Sequence, residues 1–185
     1  MNLSILPKDL PKPIDDGACN HLTNKQIPDI SLPNQDGNLL KLKRSDTFRL
    51  IIYCYPMTGH PYRPLPKNWD SIPGARGCTP ETCSFRDAHD DFVKLNAVPI
   101  GLSTQSVSDI KEMTTRLLVP YDVVSDEHLN FVNQLKLPTF RIKNKAYIKR
   151  LTLVVEKSLI THFFYPVFPP DLHVKEVLQW LDFNR

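Results

Sequence analysis

The sequence of 185 residues predicts an α/β domain with a central mixed sheet that is flanked by helices and preceded by a β-hairpin. Three observations carry this prediction. Residues 49–56, RLIIYCYP, form a continuous apolar, β-branched and aromatic run, which is typical of a strand buried on both faces. Segments with strand character then alternate with segments of helical periodicity, which favours parallel strand pairs. Two adjacent strand-like runs and an amphipathic helix follow near the end of the sequence.

Composition and charge are those of an ordinary globular protein. Hydrophobic residues make up 41% and charged residues 23%, and the length is sufficient to bury a core without disulfides. The formal net charge of +3 is too small to predict nucleic-acid binding, since no long basic stripe accompanies it. No apolar run is long enough to predict a signal peptide or a membrane span. We therefore expect a cytoplasmic protein whose four cysteines are reactive, metal-binding or buried rather than structural disulfides.

The N-terminal half contains an arm, a hairpin and a long loop. Residues 1–28 show no periodicity and are predicted to form an extended arm on a domain that covers residues 29–185. Asp36-Gly37 is a strong turn pair between two short alternating runs, which predicts the hairpin. Between Pro56 and Gly77 the chain is rich in proline and has no period. Loops of this length inside compact domains are usually functional.

A helix is predicted directly after this loop, because Thr79 can cap it and Pro80 suits its first position. Its apolar residues recur at helical spacing as far as Leu95. The basic stretch RIKNKAYIKR, residues 141–150, is predicted to be a solvated hairpin or loop. The other predicted elements are a strand at 97–104, a helix at 106–118, a strand at 120–126, a helix at 126–136 capped by Asp126, a hairpin of strands at 150–156 and 159–164 across Lys157-Ser158, and a helix at 169–183. This ending is that of a thioredoxin-like domain.

Two cysteines stand five positions apart at the start of the predicted helix. Cys78 lies where free backbone N–H groups and the helix dipole favour an anion, so we expect a lowered thiol pKa, to which Arg76 could contribute. In a helix, Cys83 would be rotated by about 140° from Cys78, with the Cα atoms roughly 8.7 Å apart. A disulfide requires at most about 6.8 Å. A bond between the two cysteines therefore requires the first turns of the helix to unwind.

Other interpretations of the cysteines remain open at this level. The pair could be two unrelated cysteines in a helix. A zinc site is disfavoured, because the C-x₄-C spacing is unusual and Cys54, His60 and His89 would have to converge without a motif. Cys54 lies inside an apolar strand and is predicted to be a small core residue. Cys19 lies in the arm, and its role is not predicted.

The stretch GCTPETCSFRD, residues 77–87, resembles the Q-type (bacterioferritin-comigratory-protein-like) peroxiredoxins, whose helix opens with G-C-T-x-x-[AS]-C-x-[FL]-R-D. Thr82 replaces the usual small residue before the second cysteine. The resemblance extends to the strand end at 53–59, to a later strand at 149–156 and to the closing segment at 163–181. A subgroup with a long loop before the first cysteine is similar throughout. The similarity therefore covers nearly the whole chain beyond the arm.

The resemblance implies a thioredoxin-like fold in its peroxiredoxin variant and a thiol-dependent peroxidase without cofactor or metal. Cys78 would attack hydrogen peroxide or an organic hydroperoxide and become a sulfenic acid. Cys83 would resolve it as an intramolecular disulfide, which a thioredoxin or glutaredoxin-like protein would reduce. Arg150 would hold the thiolate and align the peroxide, and Pro56 matches the family's proline at the strand end. A monomer or weak dimer that binds neither nucleic acid nor membrane is expected.

One position departs from the family pattern. Ala75 stands where the family has a hydroxyl residue three positions before the first cysteine. Thr58 could supply the missing hydroxyl, and Ser71 is a second candidate. Two rival functions remain on the same fold. A thiol–disulfide exchange protein would usually carry C-x-x-C, which is absent. In a redox-switched binding module, the Cys78–Cys83 pair would regulate a partner without peroxidase activity.

Overall fold

A five-stranded mixed sheet forms the centre of the structure, a computed structural model that describes residues 6–43 and 48–185. The strands are β1 (Ser31–Pro33), β2 (Leu39–Lys41), β3 (Arg49–Cys54), β4 (Ala97–Ser103), β5 (Val123–Ser125), β6 (Thr139–Ile142), β7 (Lys145–Ile148), β8 (Leu151–Glu156) and β9 (Leu159–Phe164). The helices are α1 (Cys78–Asp87), α2 (His89–Lys94), α3 (Val107–Leu117), α4 (Asn130–Leu135) and α5 (His173–Phe183), with a 3-10 helix at Trp69–Ser71.

Strand β3 is the middle strand of the central sheet, whose order is β5-β4-β3-β8-β9. It runs parallel to β4 and antiparallel to β8, so the predicted mixed sheet is confirmed. Because successive side chains alternate between faces, Leu50, Ile52 and Cys54 enter one core, and Ile51 and Tyr53 enter the other. Both cores are apolar, which explains why this strand is continuously hydrophobic in sequence.

The predicted hairpins form at the expected turns. β1 pairs antiparallel with β2 around the turn that contains Gly37, whose φ is 82°. The basic stretch forms the hairpin β6–β7, and β8 and β9 are joined through Lys157 and Ser158, which both have positive φ. Arg44, at the end of the first predicted hairpin, lies outside the described residues.

The start of α1 differs from the sequence prediction. The helix begins at Cys78, and its N-cap is Gly77 rather than Thr79, because the φ of 106° at Gly77 turns the chain into the helix two residues earlier. Pro80 is consequently the third helical residue, which is tolerated because amides of the first turn have no intrahelical partner. The predicted single helix also divides at Ala88, whose φ of −95° and ψ of 9° separate α1 from α2.

The Asp126 side chain caps α4 as predicted, although the helix begins at Asn130 and Leu129 occupies the N-cap position. Its carboxylate oxygens accept hydrogen bonds from the backbone N–H groups of Phe131 and Val132, at 3.1 and 2.9 Å. These bonds satisfy two of the free amides at the helix start.

The N-terminal segment lies on the domain and contributes to its core. Gln26 bridges to Leu159, and the backbone of Asn24 donates to the carbonyl of Ile160 at 2.8 Å. Cys19 is fully buried in the core beside β3. The first five residues of the predicted arm lie outside the described residues, and the boundary at residue 28 stays a prediction. Within the described chain, no helix has the length and apolar character needed to cross a membrane.

Replacing Gly77 with alanine tests the turn before α1. A Cβ at this position would clash with Pro170 and would lie 2.9 Å from Leu6 Cδ2, in addition to the strain of a positive φ. We expect Gly77→Ala to lower the free energy of unfolding by about 3 kcal/mol in urea titrations. Gly37→Ala is the control, because it shares the positive φ but has no neighbour within 4 Å, and it should cost only about 1 kcal/mol. Equal costs would contradict the packing described here.

Candidate active site

The register of β3 and β8 places Arg150 beside the start of α1. Leu151 pairs with Cys54 at the end of β3, so Arg150 lies opposite the first residues of the long loop that leaves this strand. The loop returns to the sheet at Gly77 and leads directly into Cys78, the first residue of α1. Two segments that are 72 positions apart in sequence therefore meet at one point.

Arg150 contacts the Cys78 thiol inside the protein. Its Nη2 donates to Cys78 Sγ at 3.1 Å and to the carbonyl oxygens of Ala75 and Arg76 at 3.4 and 3.3 Å. Arg150 is 3% exposed and Cys78 is 2% exposed. The backbone N–H of Met57 also donates to the sulfur. The thiol is thus surrounded by donors that would stabilise its thiolate.

Glu81 is the buried partner of Arg150. Its Oε2 pairs with Arg150 Nη1, and both side chains are shielded from solvent. Burial raises the pKa of the Glu81 carboxyl to about 7, although the Arg150 charge and hydrogen bond oppose this rise. Glu81 was not predicted from the sequence, because an acidic residue in the first turn of a helix is usually an exposed partner of the dipole. The sequence did contain one indication of its role, because Glu81 lies one helical turn after Cys78 and so on the same side of the helix.

Burial also raises the pKa of the Cys78 thiol above its ordinary value. The Arg150 charge opposes this rise, whereas the Glu81 charge adds to it. The prediction of a lowered pKa is therefore wrong, because desolvation of the thiolate exceeds the stabilisation that its neighbours provide. Arg76, which was expected to add charge near the thiol, directs its guanidinium to Asp70 at 3.4 Å.

Cys83 lies on the same helix and is half-buried, and both cysteines are free thiols. Burial raises the Cys83 pKa, and the charge of Arg86 opposes it. Because α1 is continuous through both positions, the helical separation of roughly 8.7 Å between the Cα atoms applies. A disulfide between them requires the first turns of α1 to open.

The structure does not bring the predicted hydroxyl groups to the thiol. Thr58 is buried, but its Oγ1 and N–H donate to Gln105 Oε1 at 3.0 and 2.8 Å. Ser71 is exposed in the 3-10 helix. Among the described residues, the hydrogen-bond partners of Cys78 are instead Arg150, the Met57 amide and the Ala75 carbonyl.

Pro56 ends the segment that follows β3. Its carbonyl accepts from Ser103 Oγ at 3.2 Å, which ties the beginning of the long loop to β4. In the part of the chain that the structure describes, no group of three or more His, Cys, Asp or Glu side chains is arranged to hold a metal ion.

Comparison with known proteins agrees with this geometry. The family model Redoxin matches residues 22–181. Peroxiredoxin Q of Arabidopsis thaliana is 28% identical over 155 residues, which are 83% of this chain and 64% of that protein. The protein bcp of Coxiella burnetii, named a peroxiredoxin, is 26% identical over 157 residues, 83% of this chain and 94% of that protein. The chain thus spans less than two thirds of the length of its plant relative.

A solved structure supports the fold. The crystal structure of peroxidoxin BcpB from Mycobacterium tuberculosis superposes with a TM-score of 0.73 and covers 88% of this chain and 97% of that one, at 23% identity. The prediction of a thioredoxin-like fold in its peroxiredoxin variant is therefore confirmed. The family model spans most of the chain, and the two relatives are named peroxiredoxin Q and peroxiredoxin bcp. This protein therefore belongs to the Redoxin family, among the Q-type (bcp-like) peroxiredoxins.

Proposed function

We propose that this chain is a thiol-dependent peroxidase that reduces hydrogen peroxide or an organic hydroperoxide. The observation that carries the proposal is the 3.1 Å contact between Arg150 and the Cys78 thiol at the start of a helix that also holds Cys83. A buried guanidinium can stabilise the thiolate and present further N–H donors to the two peroxide oxygens. Its Nε has no hydrogen-bond partner among the described residues, so one donor remains for the substrate.

The proposed reaction has three steps. The Cys78 thiolate attacks the terminal peroxide oxygen, the O–O bond breaks, and the leaving oxygen takes a proton as water or an alcohol. Cys78 becomes a sulfenic acid. After α1 opens, the Cys83 sulfur attacks the Cys78 sulfur and displaces water, which forms the disulfide. An external dithiol then reduces this disulfide by exchange and is itself oxidised to a disulfide.

The two rival functions are less well supported by the geometry. A thiol–disulfide exchange protein must present its attacking thiol to a partner protein, whereas Cys78 is 2% exposed. A redox-switched binding module does not require an arginine on the thiol. The present contacts favour attack by the thiol on a small molecule.

The proposal also includes the reductant, the cellular compartment and the oligomeric state. We expect a thioredoxin or glutaredoxin-like protein as the reductant, because the disulfide needs a dithiol to reopen it. We also propose a cytoplasmic setting, in which the four free cysteines remain reduced, and a monomer or weak dimer.

Counting thiols after one equivalent of hydrogen peroxide tests the roles of the two cysteines. We expect the wild type to lose two thiols and form the Cys78–Cys83 disulfide, Cys83→Ser to accumulate a sulfenic or sulfinic acid, and Cys78→Ser to react little. Intact mass and peptide mapping provide the readout. Cys19 and Cys54 serve as internal controls, since both are fully buried in the apolar core. Equally fast consumption of peroxide by Cys78→Ser would refute the assignment.

Arg150→Lys tests the guanidinium while it keeps the positive charge. Lysine cannot donate to the thiolate and the peroxide from one rigid plane, so the rate of Cys78 oxidation should fall by about a hundredfold in stopped-flow measurements. The disulfide formed should be unchanged. Arg141→Lys in the exposed basic hairpin is the matched control and should react like the wild type. An unchanged rate in Arg150→Lys would remove this residue from the site.

Glu81→Gln tests the electrostatic role of the buried carboxyl. The amide retains a hydrogen-bond acceptor for Arg150 but removes a negative charge that raises the thiol pKa, so the Cys78 pKa should fall. The pH dependence of Cys78 alkylation by iodoacetamide, followed by peptide mass spectrometry, measures this change. Glu127→Gln, at an exposed position, is the control. Identical pH profiles for Glu81→Gln and the wild type would rule out this role.

A further inference from the structure

A cavity of about 410 Å³ opens beside the active-site arginine. Arg150 lines it, together with apolar side chains from the long loop, the β6–β7 hairpin and the segment after β9, among them Ile72, Phe140 and Val167. Its volume falls within the range of about 300–1,000 Å³ that is usual for small-molecule sites. One of its lining residues, Arg150, is therefore the residue whose guanidinium contacts the Cys78 sulfur.

The N-terminal segment forms one wall of this cavity through Pro13 and Ile14. Pro13 packs against Gly74, since a Cβ on that glycine would lie 3.6 Å from Pro13 Cγ. The wall is also tied to the domain by Asp16, which accepts hydrogen bonds from Lys149 Nζ and Tyr165 Oη, each at 2.9 Å. These contacts hold the segment in place next to the loop that leads into Cys78.

Ile14 is the unusual member of this wall. It is 85% exposed, although it is a large apolar residue on an ordered segment. Apolar surface that faces an open cavity gains free energy when an apolar ligand displaces the water from it. Hydrogen peroxide has no apolar part and would gain nothing from this contact, whereas an organic hydroperoxide would bury its hydrocarbon body against Ile14.

We propose that the N-terminal segment is a specificity element, in which Ile14 favours hydroperoxides with an apolar body over hydrogen peroxide. The inference rests on the proposed peroxidase function and assigns the cavity as the place where the hydrocarbon part binds. The chemistry is that of the steps above: Cys78 takes the terminal oxygen, and the leaving alkoxide is protonated to an alcohol. Asp16 is a positioning residue, because its hydrogen bonds hold the segment that carries Ile14 and do not involve the substrate.

The proposal is tested by the selectivity ratio, which is the rate constant for cumene hydroperoxide divided by that for hydrogen peroxide. Rate constants for Cys78 oxidation are measured on the full chain with cumene hydroperoxide and with hydrogen peroxide. We expect Ile14→Ala to lower the constant for cumene hydroperoxide by about tenfold and to leave that for hydrogen peroxide unchanged. Leu39→Ala, at another exposed apolar position, should change neither constant. An unchanged ratio in Ile14→Ala, or an equal fall in both constants, would overturn the proposal.

A second, independent variant weakens the hydrogen bonds of Asp16 that hold the N-terminal segment. Asp16→Asn should lower the ratio as well, because the wall is no longer held against Lys149 and Tyr165. Asp15→Asn makes the same change of charge at the neighbouring position and should leave the ratio unchanged. A ratio that Asp16→Asn leaves at the wild-type value would contradict the positioning role. Failure of the wild type to react with either peroxide would instead refute the proposed function itself.

Discussion

The buried charge of Arg150 is the constraint around which the site is organised. A guanidinium that is removed from water costs several kcal/mol unless its donors are paired. Here the pairing is provided by the Glu81 carboxyl, by the carbonyls of Ala75 and Arg76 and by the Cys78 sulfur. The end of the long loop must therefore follow one path into α1, because its carbonyl groups are needed at the arginine. The contact that serves chemistry is also the contact that fixes the loop.

Helix α1 is anchored along its length by different interactions in its two halves. Phe85 stacks on Tyr53 of the central strand with 4.3 Å between the ring centroids, which fastens the second half of the helix to the core. In the first half, Glu81 pairs with Arg150, and Tyr121 Oη donates to the Thr82 carbonyl at 3.3 Å. Opening of the first turns must therefore break the buried ion pair, whereas the aromatic stacking of Phe85 can stay in place.

The features of the fold that depend on a few neighbouring residues were predicted correctly. The apolar run of β3, the turn at Gly37 and the turn at Lys157-Ser158 each depend on a few neighbouring residues, and the structure confirms them. The start of α1 was predicted two residues late, because a capping hydroxyl at Thr79 and a glycine at Gly77 both offer a helix start. A strained glycine turn is decided by what packs around it, which a local pattern does not contain.

The sequence by itself determined the order of strands and helices, the position of Cys78 at a helix start and the separation of the two thiols, because these follow from spacing along the chain. Only the tertiary structure decided what surrounds the sulfur. It buried Glu81 against Arg150, replaced the expected hydroxyl by the Met57 amide and raised the thiol pKa. Burial and pairing arise between segments distant in sequence, so they depend on how the sheet brings those segments together.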